Sequence, residues 1–135
     1  IATADDTNHG SALGQWLGDI GPLAATIWLV LRGLGTVVLV PVAEELAFRG
    51  YLYRRLIARD FHTVSASAAS VTAVLASSIV FGLLHDRWLA AALAGFVFCA
   101  VMLRSGSVKD AIVSHAAANA LIFGWALAWQ KWSLL

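Results

Sequence analysis

Residues 37–50 are VVLVPVAEELAFRG, an apolar run that contains two adjacent glutamates and an arginine. A charged side chain at membrane depth costs about 2.5–3.5 kcal/mol on insertion scales, so those that persist there usually serve a function. Two further polar sites lie on later apolar stretches, at residues 81–85 (FGLLH) and 115–119 (HAAAN). Carboxylate, imidazole and carboxamide groups are those that activate a water molecule and stabilise an oxyanion.

The composition indicates a membrane protein. The 135 residues are 60% hydrophobic and 13% charged, with a mean hydropathy of +0.79. A soluble domain has about 45–50% apolar and about 25% charged residues. The net charge of +1 gives no reason to expect binding to nucleic acid. The single cysteine, Cys99, lies in an apolar run and is interpreted as a packing residue, since a free cysteine behaves as a small buried hydrophobe.

The N-terminal part is predicted to lie outside the apolar core. Residues 1–10 are polar and are expected to be a flexible lead-in, while Ser11–Ile20 carries apolar residues at spacings of three and four. That spacing predicts a short amphipathic helix on the membrane surface. We therefore divide the chain into 1–22, the lead-in and surface helix, and 23–135, the membrane domain. The chain begins at Ile1 without Met, and the sequence leaves open whether it is a fragment of a longer protein.

Four apolar segments follow, and no strand pattern is present, which predicts an all-α, polytopic transmembrane helix bundle. The first segment is too long for one straight span, since about 20 residues cross the hydrocarbon layer, and Gly33, Gly35 and Pro41 are expected to kink or divide it. The second is rich in Ser and Ala, which predicts close helix packing. The segments run over Leu23–Ile57, Thr63–His85, Trp88–Leu103 and Val108–Trp129.

Basic residues predict the orientation of the bundle. Arginines and a lysine cluster at 54–59 and 104–109, and the positive-inside rule places both loops in the cytoplasm. Both termini are then outside, and five tryptophans are expected to form an aromatic belt at the outer interface: Trp28, Trp88, Trp125, Trp129 and Trp132.

The two glutamates are predicted to differ in role. Glu45 and Arg49 are four residues apart, which allows an ion pair across one helical turn. Glu44 points about 100° away from Glu45 on a helix and has no such partner. A purely structural salt bridge would explain Glu45 and Arg49 but would leave Glu44 unexplained.

The two later motifs have the same four-residue spacing. His85 follows Phe81 by one turn, and Asn119 follows His115 by one turn among alanines that leave room beside the polar tips. Taken alone, a histidine at a helix end is usually an interface group, and a His–Asn pair can be an interhelical hydrogen bond. Three polar sites on three different segments favour a single convergent site.

With these three motifs, the chain resembles the CPBP intramembrane proteases, which include the type II CAAX prenyl endopeptidases (Rce1-like) and the bacterial Abi proteins. The resemblance rests on Glu-Glu-x-x-x-Arg at 44–49, Phe-x-x-x-His at 81–85 and His-x-x-x-Asn at 115–119, in that order. It covers about residues 25–125. Residues 41–56 also resemble the protease half of certain bacterial exosortase E-type fusion proteins.

The resemblance implies an intramembrane endopeptidase without a cofactor. Glu44, helped by His85, would activate the attacking water, and His115 with Asn119 would stabilise the tetrahedral oxyanion. The positions that would orient and charge-balance the site are Glu45 and Arg49. The expected substrate is a peptide or membrane protein, the expected surroundings are membrane lipid, and the expected location is the bacterial inner (cytoplasmic) membrane.

Two alternatives stay open on the sequence. The first is a zinc-dependent membrane peptidase with Glu44, His85 and His115 as ligands, since two histidines and a carboxylate can form a catalytic zinc site, although no His-Glu-x-x-His is present. The second is a non-catalytic membrane scaffold or immunity protein. The predicted segments also place His85 near the outer side of the membrane and His115 near the inner side. These two histidines can meet in one site only if helices tilt, the short third segment brings the two levels together, or the first helix is kinked near Pro41.

Overall fold

The computed structural model describes residues 4–135, with side chains from residue 10 onward. It is 83% helical and contains no strand in the described residues, which confirms the all-α prediction. The α-helices are α1 (Ala4–Asp19), α2 (Pro22–Leu34), α3 (Val40–Glu45), α4 (Tyr53–Ile57), α5 (Val71–Leu83), α6 (Trp88–Ser105) and α7 (Val108–Ala128). Two π-helical stretches, Gly35–Leu39 and Leu46–Leu52, and two 3₁₀ turns, Phe61–Thr63 and Trp132–Leu134, complete the described elements.

The lengths of the apolar helices fit a membrane protein. Three helical segments are long and apolar enough to cross a membrane: Pro22–Ile57, Trp88–Ser105 and Val108–Ala128, while α5 is apolar but shorter. The first of these has 36 residues. A straight helix of that size is about 54 Å long, against a hydrocarbon thickness of about 30 Å. The two π-helical stretches interrupt its α-helical register, and the first begins at Gly35, one of the predicted breaks.

The chain folds as two compact units, of which the first combines the chain up to Leu39 with Ala117–Leu135. In this unit α1 packs on the C-terminal 3₁₀ turn and on α2. Gly14 permits that approach, because a Cβ there would lie 2.7 Å from the Trp132 ring. Trp125 and Trp129 stack with their ring centroids 3.9 Å apart.

Helix α1 is longer than the sequence predicts. It begins at Ala4, so that most of the lead-in expected to be flexible is helical, and it contains the predicted helix from Ser11 up to Asp19. Residues 1–3 of the lead-in lie outside the described residues. The position of this helix on the membrane surface stays a prediction.

The second unit is Val40–Ala116, and its centre is the close packing of α5 on α6. Gly82 marks the closest approach, since a Cβ there would lie 2.6 Å from the Trp88 carbonyl oxygen and 2.7 Å from Ala92 Cβ. A side chain at this position would force the two helices apart. Ser77 and Ser78, on the same helix as Gly82, are fully buried.

The prediction of close helix packing is wrong for the first part of the Ser- and Ala-rich segment. Helix α5 begins only at Val71, because the Ser70 side chain accepts a hydrogen bond from the Ala73 backbone N–H and so acts as its N-cap. The connection before it is held by Tyr53, whose hydroxyl donates to the Ala68 carbonyl oxygen at 2.7 Å. Serine side chains thus bond to the local backbone here instead of packing between helices.

Candidate active site

The two adjacent glutamates at the end of α3 lie in different environments. Glu45 is completely buried, while 28% of the Glu44 side chain is exposed. Consecutive residues on a helix point about 100° apart, which is why neighbours in sequence can face different surroundings. The two carboxylates are therefore described separately, with the groups that each one contacts.

Glu45 and Arg49 form the ion pair that their spacing predicts. Arg49 Nη1 donates to Glu45 Oε1 at 3.1 Å, and Arg49 Nη2 donates to the Gly95 carbonyl oxygen of α6 at 2.7 Å. Both charged side chains are fully buried. We call Glu45, Arg49 and Gly95 the closed cluster. Because a buried charge is costly unless it is paired and hydrogen-bonded, these contacts allow an arginine to sit inside the protein.

Aromatic rings complete the surroundings of Arg49. Its guanidinium carbon lies 4.7 Å from the centroid of the Phe81 ring and 5.9 Å from the centroids of Phe48 and Phe98. The ring faces attract a desolvated cation. Phe48 and Phe81 are edge to face at 5.2 Å. Phe81, the first residue of the second motif, therefore packs against both the guanidinium of Arg49 and the ring of Phe48.

Gly95 is a site residue that the sequence analysis missed. A Cβ there would lie 3.1 Å from Arg49 Nη2, 3.2 Å from the Phe81 ring and 3.4 Å from the Ser78 Cα. The missing side chain lets the guanidinium reach the backbone carbonyl. An isolated glycine inside an apolar helix costs about 1 kcal/mol relative to alanine, which was the available signal for a packing role.

His85 follows the end of α5 and faces Glu44. Its Nδ1 lies 2.8 Å from the Phe81 carbonyl oxygen. A carbonyl can only accept, so Nδ1 carries the proton and donates. In the neutral ring the lone pair is then on Nε2, which lies 3.9 Å from Glu44 Oε1. We call Glu44 and His85 the open cluster, because both side chains are partly exposed.

His115 contacts both clusters. Its Nδ1 lies 3.0 Å from Glu45 Oε1, and its Nε2 lies 3.8 Å from Glu44 Oε2. The ring stacks on Phe98 with centroids 4.6 Å apart, which fixes its plane. Glu44 thus lies between the Nε2 atoms of two histidines, and both distances are longer than a hydrogen bond.

The predicted difference in depth does not keep these residues apart, since both histidines approach Glu44. The late start of α5 explains this result. That helix has 13 residues and a length of about 20 Å, much less than the predicted segment from Thr63 would have. His85 therefore lies nearer to the start of its helix than the sequence analysis assumed.

Asn119 belongs to the other compact unit, on the part of α7 that follows Ala116. Its Nδ2 donates to the Thr36 carbonyl oxygen at 2.9 Å. Thr36 lies in the first π-helical stretch, where a carbonyl accepts from the N–H five residues ahead. For Thr36 that residue is Pro41, which has no N–H. Asn119 supplies the donor that the proline cannot supply. This matters because every backbone carbonyl at membrane depth needs a hydrogen-bond donor from within the protein.

This bond fixes the orientation of the Asn119 amide. Because a carbonyl oxygen only accepts, the amide must turn its NH₂ group toward Thr36. One N–H is used there and one is left for another acceptor. The sequence leaves two readings of Asn119, an oxyanion donor and an interhelical hydrogen bond, but it does not identify Thr36 as the bonding partner, although Pro41 follows Thr36 by five residues.

Among residues 10–135, no group of three His, Cys, Asp or Glu side chains is spaced to hold a metal ion. The zinc alternative stays a prediction that metal analysis and chelation can test.

The family model described as Type II CAAX prenyl endopeptidase Rce1-like matches residues 26–121, a range that contains all three motifs. No curated protein and no solved structure matches the chain.

Proposed function

The chain belongs to the Rce1-like family of type II CAAX prenyl endopeptidases, and on this premise we propose that it is an intramembrane endopeptidase in which Glu44 and His85 activate the attacking water. The family and the three apolar spans make it an integral membrane protein of a protease family. The substrate that we propose is a peptide or membrane protein, and the proposed location is the bacterial inner membrane.

The position of Glu44 carries this proposal. Its carboxylate is partly exposed, has no arginine or lysine partner among the described residues, and lies 3.9 and 3.8 Å from two imidazole Nε2 atoms. A general base needs a free lone pair and access to the reactants. Glu45, one residue further on, lacks that access, because its side chain is fully buried and its Oε1 accepts from Arg49 and His115.

In the first step, a water molecule between Glu44 and His85 loses a proton as its oxygen attacks the peptide carbonyl carbon. Glu44 takes that proton, and the unprotonated Nε2 of His85 accepts the water's other hydrogen bond and orients it. The carbonyl π electrons move to oxygen and form the oxyanion. When the C–N bond breaks, the proton passes from Glu44 to the leaving amine.

The oxyanion would be stabilised by His115 and Asn119. For His115 this role sets a condition, because its Nδ1–H donates to Glu45 and a neutral ring would then have no proton on Nε2. His115 must therefore be an imidazolium to donate from Nε2. Carboxylate oxygens of Glu45 and Glu44 lie on the two sides of this ring. Asn119 would donate the N–H that Thr36 does not use.

Replacement of Glu44 tests the proposal directly. Glu44→Gln keeps the shape and removes the base, so the purified variant in lipid nanodiscs should lose cleavage of a prenylated CAAX peptide while its thermal unfolding is unchanged. The control is Asp19→Asn, the same chemical change on an exposed residue of α1, which should cleave like the wild type.

The substrate needs a second assay, because the CAAX peptide is only the family's substrate class. Membrane proteomes of cells that express wild type or Glu44→Gln should differ in peptides with new termini. If Glu44→Gln keeps more than about a tenth of wild-type cleavage, Glu44 is not the base. If wild type and Glu44→Gln give the same peptides and neither cleaves the reporter, the scaffold alternative replaces the enzyme.

A further inference from the structure

Five basic side chains lie on three neighbouring segments of the second unit, outside the site described above. Three come from the end of α4 and the connection after it, and two flank the turn between α6 and α7. That turn is made by Gly106, whose left-handed backbone (φ 71°) ends α6. We call this surface the basic end; its residues are Arg54, Arg55, Arg59, Arg104 and Lys109.

Contacts between the loops hold these segments together. The Tyr53 hydroxyl donates to the Ala68 carbonyl oxygen and accepts from the Ser70 N–H at 3.3 Å, which ties the connection before α5 to α4. The same connection approaches the other turn, since a Cβ at Gly106 would lie 4.0 Å from Ser67 Cβ. The basic residues of α4 and those beside Gly106 therefore lie at the same end of the unit.

No acidic side chain from residue 10 onward forms an ion pair with the basic end. None of its five side chains forms an ion pair within the described residues, and Arg54 Nε is buried without a hydrogen-bond partner there. Two acidic residues are nearby in the chain, but each has a local role. Asp60 accepts from the His62 N–H at the start of a 3₁₀ turn, and Asp110 lies in the first turn of α7, where a negative charge complements the helix dipole.

Apolar side chains border the basic end. Leu56 and Ile57, between the arginines, are 48% and 37% exposed. Tyr51 and Phe61 pack edge to face with centroids 5.0 Å apart, on the same part of the unit. Exposed leucine and isoleucine next to arginines, with an aromatic pair beside them, are typical of the boundary between hydrocarbon and headgroups.

We propose that the basic end binds the phosphate headgroup of anionic phospholipids. The guanidinium groups supply planar donors that match phosphate oxygens, and the neighbouring Leu56 and Ile57 contact the acyl chains. The apolar border selects a lipid over a free phosphate ion, because inorganic phosphate gains nothing from it. Basic clusters at the membrane surface attract anionic lipids in this way.

The test measures lipid selectivity of the whole protein in phosphatidylcholine vesicles. Spin-labelled phosphatidylglycerol and spin-labelled phosphatidylcholine are compared by the fraction of motionally restricted label in electron paramagnetic resonance spectra. Wild type should prefer phosphatidylglycerol, and the preference should fall as salt is added. Arg55→Gln/Arg59→Gln should lower the preference about fivefold for each charge removed.

The matched control is Arg87→Gln/Lys131→Gln, which removes two exposed positive charges outside the basic end. It should keep the wild-type preference. Equal association of the two lipids with wild type at low salt would overturn the proposal, and this measurement needs no variant to fold. An equal loss of preference in the control pair would also overturn it, since net charge alone would then explain the effect. Displacement of the label by inorganic phosphate would replace the lipid site with a simple anion site.

Discussion

The closed and open clusters begin with neighbouring carboxylates and share His115, yet the two carboxylates differ in burial and in the length of their contacts. Glu45 is fully buried and shares one oxygen between Arg49 and His115 at 3.1 and 3.0 Å. Glu44 is partly exposed, and its nearest imidazole nitrogens are 3.8 Å or more away. Short contacts fix geometry, while longer ones leave room for reactants. In the proposed mechanism, Glu45 holds the site and Glu44 performs its chemistry.

The largest effect on stability is expected from breaking the closed cluster on one side. Arg49→Ala removes the guanidinium that is ion-paired with the buried Glu45, so the free energy of unfolding should fall by about 3–5 kcal/mol and activity should fall with it. Chemical unfolding in mild detergent measures the stability, and peptide cleavage measures the activity.

A double substitution checks that the pair, rather than general packing, causes this loss. Glu45→Gln/Arg49→Gln removes both charges and should recover part of the stability that the single variants lose. If the double variant is less stable than the sum of the two single changes predicts, the two side chains do not act as a pair. The Glu45–Arg49 pair would then not be what stabilises the site.

The next effect concerns Asn119 and the chemical step. Asn119→Ala should lower kcat by about 10²–10³ with little change in KM, the range for loss of an oxyanion donor. Asn119→Asp should be at least as damaging near neutral pH, because an ionised carboxylate repels both the oxyanion and the Thr36 carbonyl. Activity of this variant should partly recover as the pH falls, because a protonated carboxyl group can donate. A variant in which mainly KM rises would make Asn119 a substrate contact.

A smaller effect separates the two roles of Asn119. Pro41→Ala restores an N–H five residues after Thr36, so the Thr36 carbonyl regains a donor within its own helix. In that background Asn119→Ala should cost less stability, by about 0.5–1.5 kcal/mol, the net contribution of one hydrogen bond. Its loss in kcat should remain, if the second N–H acts on the oxyanion.

This cycle needs both single variants, the double variant and the wild type, each measured for unfolding and for kcat. A coupling of zero would show that Asn119 does not replace the missing proline N–H. A kcat that recovers together with stability would show that Asn119 acts only on the helix. Either result would change the interpretation of the third motif without affecting Glu44.

The sequence predicts much of this arrangement because polar residues at membrane depth are rare. The spacing of Glu45 and Arg49 predicted their ion pair, and three motifs on three segments predicted that Glu44, His85 and His115 converge. Composition predicted the all-α fold, because lipid allows few alternatives for the backbone.

The remaining features depend on contacts between distant residues or on local backbone competition. The bond from Arg49 to the Gly95 carbonyl joins residues 46 positions apart, and no local pattern indicates it. The start of α5 at Val71 depends on whether Ser70 caps the backbone or packs against another helix, and composition alone does not separate the two. The Thr36–Asn119 bond required the helical register around Pro41, which changes from α to π and is set by the whole helix.

The smallest expected effect is that of a chelator, and it tests whether the open cluster works without metal. If Glu44 and His85 activate water directly, enzyme treated with a strong zinc chelator should keep its activity, and elemental analysis should find zinc far below one ion per chain. A catalytic zinc would instead need Glu44, His85 and His115 as ligands, with metal–ligand distances of about 2.0–2.2 Å. The Nδ1 proton of His85, which donates to the Phe81 carbonyl, is compatible with either case because Nε2 stays free.

A matched comparison uses the chelator already saturated with zinc, which controls for effects of the compound on the membrane. Stoichiometric zinc, with activity that is lost on stripping and restored by zinc alone, would convert the open cluster into a metal site and Glu44 from a base into a ligand.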